Sequence, residues 1–170
     1  MAKSADRPVA VYRYNLIAFW VSLFVGVLLQ ISLPVGLPLA RLFDFPLILT
    51  IYFASMRRSR IYGTFLGTGL GLVQDALSHG LIGMFGISKC VVGYLAAAVS
   101  VKFDLEQLGA RYILTALLVC IHNLVLLSVS HLIFESPARF APLDLASAVV
   151  VNAALALICF PILDLFRRPV

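Results

Sequence analysis

Apolar runs follow one another along this chain, separated by short breaks that carry most of its charge. A helix rises 1.5 Å per residue, so a run of about 20 apolar residues is what it takes to cross the hydrocarbon core of a bilayer. Inside lipid the backbone must satisfy its own N–H and C=O groups, which leaves helices or closed barrels as spanning structures. Continuous apolar runs, rather than alternating ones, favour helices. Composition agrees: 62% of the residues are hydrophobic and 12% charged, against about 25% charged in a soluble domain. The expectation is an all-α polytopic membrane protein, a six-transmembrane-helix bundle forming one integral membrane domain over residues 1–170.

The predicted spans cover about 15–33, 43–56, 61–78, 81–101, 112–134 and 143–166, after a polar cytoplasmic stretch at 1–14. The first apolar run is too long for a signal peptide and no small-residue cleavage site follows it, so it stays as a span. The second span is short. Roughly 14 helical residues cover about 21 Å, less than a core of about 30 Å. The preceding LPVGLPLARL is apolar but broken by Pro34 and Pro38. A non-helical piece of this kind enters the membrane only when protein encloses it. Asp44 suits the N-cap of the second span, with Pro46 in its first turn. Ser78-His79-Gly80 reads as a tight turn between the third and fourth spans, and Pro161 as a kink near the end of the sixth.

Lysine and arginine positions orient the bundle. With a cytoplasmic N-terminus, Lys3, Arg7, Arg13, Arg57, Arg58, Arg60, Lys102, Arg111, Arg167 and Arg168 lie on the cytoplasmic side. Arg41 and Arg139 lie outside, and Lys89 falls within a span. The positive-inside rule therefore places both termini in the cytoplasm, and it supports a crossing by the short second segment. The net charge of +5 marks topology, not nucleic-acid binding, because the basic residues border apolar segments. Arg57, Arg58 and Arg60 form a cytoplasmic basic cluster suited to anionic lipid.

Eight of the eleven glycines fall between Gly63 and Gly93, in the stretch YGTFLGTGLGLVQDALSHGLIGMFGISKCVVGYLAAAV. Gly63, Gly67 and Gly71 are spaced by four, and Asp75 continues the series. Gly83, Gly86 and Gly93, with Cys90 and Ala97, make a similar small stripe on the fourth span. Small residues at this spacing let helix backbones approach closely in lipid. The stripes either pack the hairpin into its own bundle or receive a helix from a partner protein. Asp75 and Lys89 are intramembrane charges and carry a functional hypothesis by default. Their positions allow an Asp75–Lys89 ion pair across the hairpin, or a contact with a ligand or partner.

Gln30, His122, Asn123, His131 and Asn152 read as interhelical hydrogen-bonding residues. Cys90, Cys120 and Cys159 read as small packing residues, with no disulfide framework. No metal-ligand spacing, phosphate loop or nucleophile–base set is evident, so no cofactor, metal or catalytic residue is expected.

The order of elements is a short basic N-terminus, an apolar span, DFPLILTIYF, a basic cluster and YGTFLGTGLGLVQDALSHGLIGMFG. Over essentially its whole length the chain resembles the MreD family of bacterial rod shape-determining inner-membrane proteins. The most specific part is GxGLxxD, here Gly69, Gly71, Leu72 and Asp75, followed by Gly80 to Gly83. The resemblance implies a non-enzymatic scaffold of the cell-elongation complex in the bacterial inner membrane. It implies binding to the membrane helix of MreC and, through it, linkage to the actin-like MreB and to a peptidoglycan glycosyltransferase–transpeptidase pair. On that reading Gly63, Gly67, Gly71, Asp75, Gly83, Gly86 and Gly93 would form the MreC-facing surface. The family is distantly similar to the substrate-capture subunits of energy-coupling-factor vitamin transporters. That likeness implies an alternative: a transport subunit holding a small molecule or lipid in an outward-facing cavity near Asp75, Lys89, Gln30 and His131.

Overall fold

The computed structural model describes residues 12–36, 41–78, 83–102, 108–133 and 142–169. They form six helices: α1 (Leu16–Gly36), α2 (Phe45–Arg57), α3 (Arg60–Leu77), α4 (Met84–Lys102), α5 (Leu108–Ile133) and α6 (Pro142–Asp164). Four of these, α1, α4, α5 and α6, are long and apolar enough to cross a membrane, and α2 is a shorter apolar helix. In α3 the glycines, threonines and the Gln74–Asp75 pair dilute the hydropathy of an 18-residue helix.

Several boundaries differ from the expected ones. α1 runs through Pro34 to Gly36, and α4 begins at Met84 rather than near 81. His79 and Gly80, read as a turn, lie outside the described residues, as do 37–40, 103–107 and 134–141. The all-helical expectation holds for the bundle, with one small addition of which the sequence carries no sign. Two short strands, β1 (Tyr12–Tyr14) and β2 (Arg167–Pro169), pair antiparallel, with Arg13 opposite Arg168. Extended residues flanking the first and last helices find their backbone partners in each other, which holds the start of α1 and the end of α6 at one end of the bundle.

The shortest helix is the centre. Every residue from Pro46 to Ala54 is buried, and α2 touches each of the other five helices. A helix apolar all round belongs inside a bundle. Its end is fastened by aromatic contacts: Phe53 meets Tyr14 and Phe19 edge-on at 5.1 and 4.8 Å, and Tyr52 meets Phe160 at 5.5 Å. At the same end, Tyr52 Oη donates to Asp164 Oδ1 at 2.7 Å, and Arg111 Nη1 pairs with Asp164 Oδ2 at 2.7 Å. These contacts join α2, α5 and α6.

α2 ends where Arg58 adopts a left-handed conformation (φ 50°), and Ser59 caps α3 by accepting from Tyr62 N–H. The guanidinium of Arg57 lies 4.8 Å from the centre of the Tyr62 ring. α1 is the least buried of the long apolar helices, with α6 next. Leu23 and Gly26 are its buried residues, and Trp20, Phe24 and Leu28 are exposed.

Candidate functional site

The α3–α4 pair is in backbone-to-backbone contact. A Cβ added at Gly63 would collide with the carbonyl of Gly93, and one added at Gly93 with the carbonyl of Gly63. At Gly67 the obstacle is the Lys89 carbonyl, and at Gly71 it is the backbone of Phe85 and Gly86. The two small-residue stripes therefore face each other through Gly63, Gly67, Gly71 and Gly93, whereas Gly69 and Gly83 have open space where a Cβ would stand. A partner helix has no room on this surface.

The seam explains the position of Asp75. Gly71 brings the start of α4 against α3, and Asp75, one turn further on, reaches it. Its Oδ2 accepts from Gly83 N–H at 2.9 Å and Gly86 N–H at 3.0 Å, and its Oδ1 accepts from Phe85 N–H at 2.9 Å. The first N–H groups of a helix have no intrahelical partners and carry the positive end of its dipole. A buried carboxylate from the neighbouring helix satisfies three of the N–H groups at this end. Gly83 takes φ +110° at this turn, a conformation open to glycine.

The expected Asp75–Lys89 ion pair is thereby replaced. Lys89 Nζ instead pairs with Asp44 Oδ2 at 2.7 Å. Asp75 already has three backbone donors. Asp44 sits at the start of the enclosed helix α2, where Lys89, fully buried, can reach it. Asp44 also caps α2, its Oδ1 accepting from Leu47 N–H at 2.9 Å, as its place before Pro46 foretold.

Around Asp44 the other helices converge. His122 Nε2 of α5 lies 3.4 Å from Asp44 Oδ2. Asn152 of α6 accepts from Asp44 N–H through Oδ1 at 2.8 Å and donates through Nδ2 to Leu42 O at 2.8 Å. Gln30 of α1 donates to Phe43 O at 3.1 Å and accepts from Phe45 N–H at 3.0 Å. The Phe85 ring stacks on His122 with centroids 6.2 Å apart, and Lys89 Nζ lies 4.8 Å from the same ring centre. Phe43 and Asp44, just before α2, are outside any helix, and side chains from α1 and α6 supply hydrogen bonds to the backbone there.

A cavity of about 750 Å³ lies beside this centre. Gln30, Asp44, Gln74, His122, Asn123 and Asn152 bring polar groups to it, and apolar residues of all six helices complete its walls. Of the four residues expected around an outward-facing cavity, Gln30 lines this one. Asp75 and Lys89 are buried and committed to other partners, and His131 is exposed at the end of α5. The other polar residues of its lining are not ones the sequence assigns to a cavity: Asp44 reads as a helix cap, His122, Asn123 and Asn152 as interhelical hydrogen-bonding residues, and Gln74 carries no signal. The signal for Asp44 was available: a helix too short to span, capped by an acid, starts below the membrane surface.

Among the described residues, no three His, Cys, Asp or Glu side chains gather as a metal site. Comparison with protein-family models, characterised proteins and solved structures finds no match for this chain.

Proposed function

We propose that this protein is a six-span inner-membrane scaffold of the bacterial cell-elongation machinery, non-enzymatic, with both termini in the cytoplasm. It would bind the membrane helix of MreC and so help maintain rod shape and direct peptidoglycan synthesis. The resemblance to the MreD family in length, span order and the Gly69–Asp75 motif supplies the role and the partner's name. The pairing of β1 with β2 supports an even number of crossings, since it holds the flanks of the first and last helices together. The distribution of lysine and arginine supports the cytoplasmic side for that end.

The observation that carries the scaffold reading is the unequal coverage of the helices. α3 and α4 are occupied with each other, α2 is enclosed, and α1 leaves Trp20, Phe24 and Leu28 exposed along one side. On this reading a single-span partner packs along α1, not on the glycine seam. Photoreactive residues at Phe24 and Leu28 of α1, and at the exposed Phe65 of α3, test it in cells that also contain MreC. Crosslinks from α1 with none from Phe65 support the assignment. Co-purification with MreC but crosslinks from Phe65 alone moves the interface. No association under any condition removes the elongation-complex role.

A further inference from the structure

Three residues that line the cavity beside the start of α2 each carry a buried polar atom that meets no hydrogen-bond partner among the described residues: Gln74 Oε1, His122 Nδ1 and Asn123 Nδ2. Gln74 is 8% exposed and His122 2%. The rest of the centre is closely paired, so these three stand apart. Buried polar groups in folded proteins find partners, and an unpaired one in a concave site is a place where a ligand supplies the missing bond. The three come from α3 and α5, and Gln30 and Asn152, which line the same cavity from α1 and α6, have their polar atoms engaged with the backbone before α2.

The chemistry of the occupant follows from the charges. Asp44 is engaged by Lys89 and by Leu47 N–H, and Lys89 is itself fully buried. No free cation stands deep in the cavity among the described residues, and the one arginine lining it, Arg41, is exposed. An anionic group placed deep would face the Asp44 carboxylate, and a cation would find that carboxylate already paired. A neutral group suits the site. The carboxamides of Gln74 and Asn123 each offer both a donor and an acceptor whichever way the amide is turned. Their complement is a group that both donates and accepts, namely a hydroxyl or an amide. The walls between the polar groups are apolar, with Val27, Leu47, Val119 and Leu126 among them. The volume lies within the range of small-molecule sites, about 300–1,000 Å³.

We propose that this cavity binds a neutral hydroxyl- or amide-bearing compound with an apolar body, held by Gln74, Asn123 and His122. The site stands on its own geometry and does not depend on the scaffold role. Such chemistry comes from a membrane lipid with an uncharged head or from a free small molecule, and the two are separable. Three photoreactive diazirine probes serve, with the full-length protein in nanodiscs: a monoacylglycerol, the matching fatty-acid methyl ester, which has no donor, and a water-soluble benzamide. Labelled peptides are mapped by mass spectrometry.

Saturable labelling of the 74–78 and 119–126 segments by the monoacylglycerol, well above the methyl ester, supports the proposal and points to a lipid. Saturable labelling by the benzamide supports it and points to a free small molecule. In the double variant Gln74→Met/Asn123→Leu, half-saturation rises about 25-fold, at roughly fivefold for each hydrogen bond lost. The variant's thermal stability without probe stays equal or increases, because it removes two unpaired buried polar groups. Labelling by neither probe, equal labelling by the methyl ester, unchanged half-saturation in the variant, or a loss of stability in the variant would each overturn the proposal.

Discussion

The α3–α4 seam and the polar centre at the start of α2 hold the same bundle by opposite means. At the seam, Gly63, Gly67, Gly71 and Gly93 bring backbone against backbone, and contact is possible because side chains are missing. At the centre, Gln30, Asp44, Lys89, His122 and Asn152 converge from five helices, and contact depends on side chains being present. The seam fails when an atom is added, and the centre fails when one is removed. Lys89 belongs to both: its carbonyl faces Gly67, and its ammonium pairs with Asp44.

Substitutions that remove or add atoms at single positions break this contrast in graded steps. Lys89→Met leaves the Asp44 carboxylate buried without its partner, a change worth about 3–5 kcal/mol in soluble proteins. Unfolding in detergent micelles should show the largest loss of the series, and a loss below 1 kcal/mol, on the order of a surface pair, would place the pair outside the core of stability. Gly67→Ala adds a methyl group against the Lys89 carbonyl, which is backbone and cannot turn aside. The expected loss is about 1–3 kcal/mol, read by the same unfolding assay, with Gly93→Ala behaving alike.

Asp75→Asn keeps the shape of the side chain but removes the charge from the start of α4. One amide oxygen then replaces two carboxylate oxygens among three N–H donors, so stability should fall by about 1–2 kcal/mol. Hydrogen exchange at Gly83, Phe85 and Gly86 should quicken while that of α5 stays as it was. Gly69→Ala adds the same methyl group as Gly67→Ala, on the same helix, into open space. It should be neutral or stabilise the helix by up to about 1 kcal/mol. Equal effects at Gly67 and Gly69 would dissolve the seam as a distinct feature.

The two regions were also unequally legible in the sequence. The seam could be read, because four-residue glycine spacing on two adjacent apolar runs is a local pattern. Which surface the stripes face is not legible, since spacing alone does not distinguish a neighbouring helix from a partner. The centre could be read only in pieces. Asp44 was recognisable as a helix cap and Lys89 as an intramembrane charge, but their pairing joins positions 45 residues apart. Asp75 drew the pairing instead because it is the nearer carboxylate, and its backbone partners carry no side-chain signature. Gln74 carries no signal in the sequence, because the cavity it lines exists only once several helices assemble.

The claim on which the rest depends is that Lys89 and Asp44 act as one unit, tying α4 to the buried start of α2. A double-mutant cycle over Lys89→Met and Asp44→Asn, followed by unfolding in detergent or in bilayers, measures this directly. The structure predicts that the double variant loses less stability than the two single variants together, with a coupling of about 2 kcal/mol or more. Single effects that add to within about 0.5 kcal/mol would contradict it.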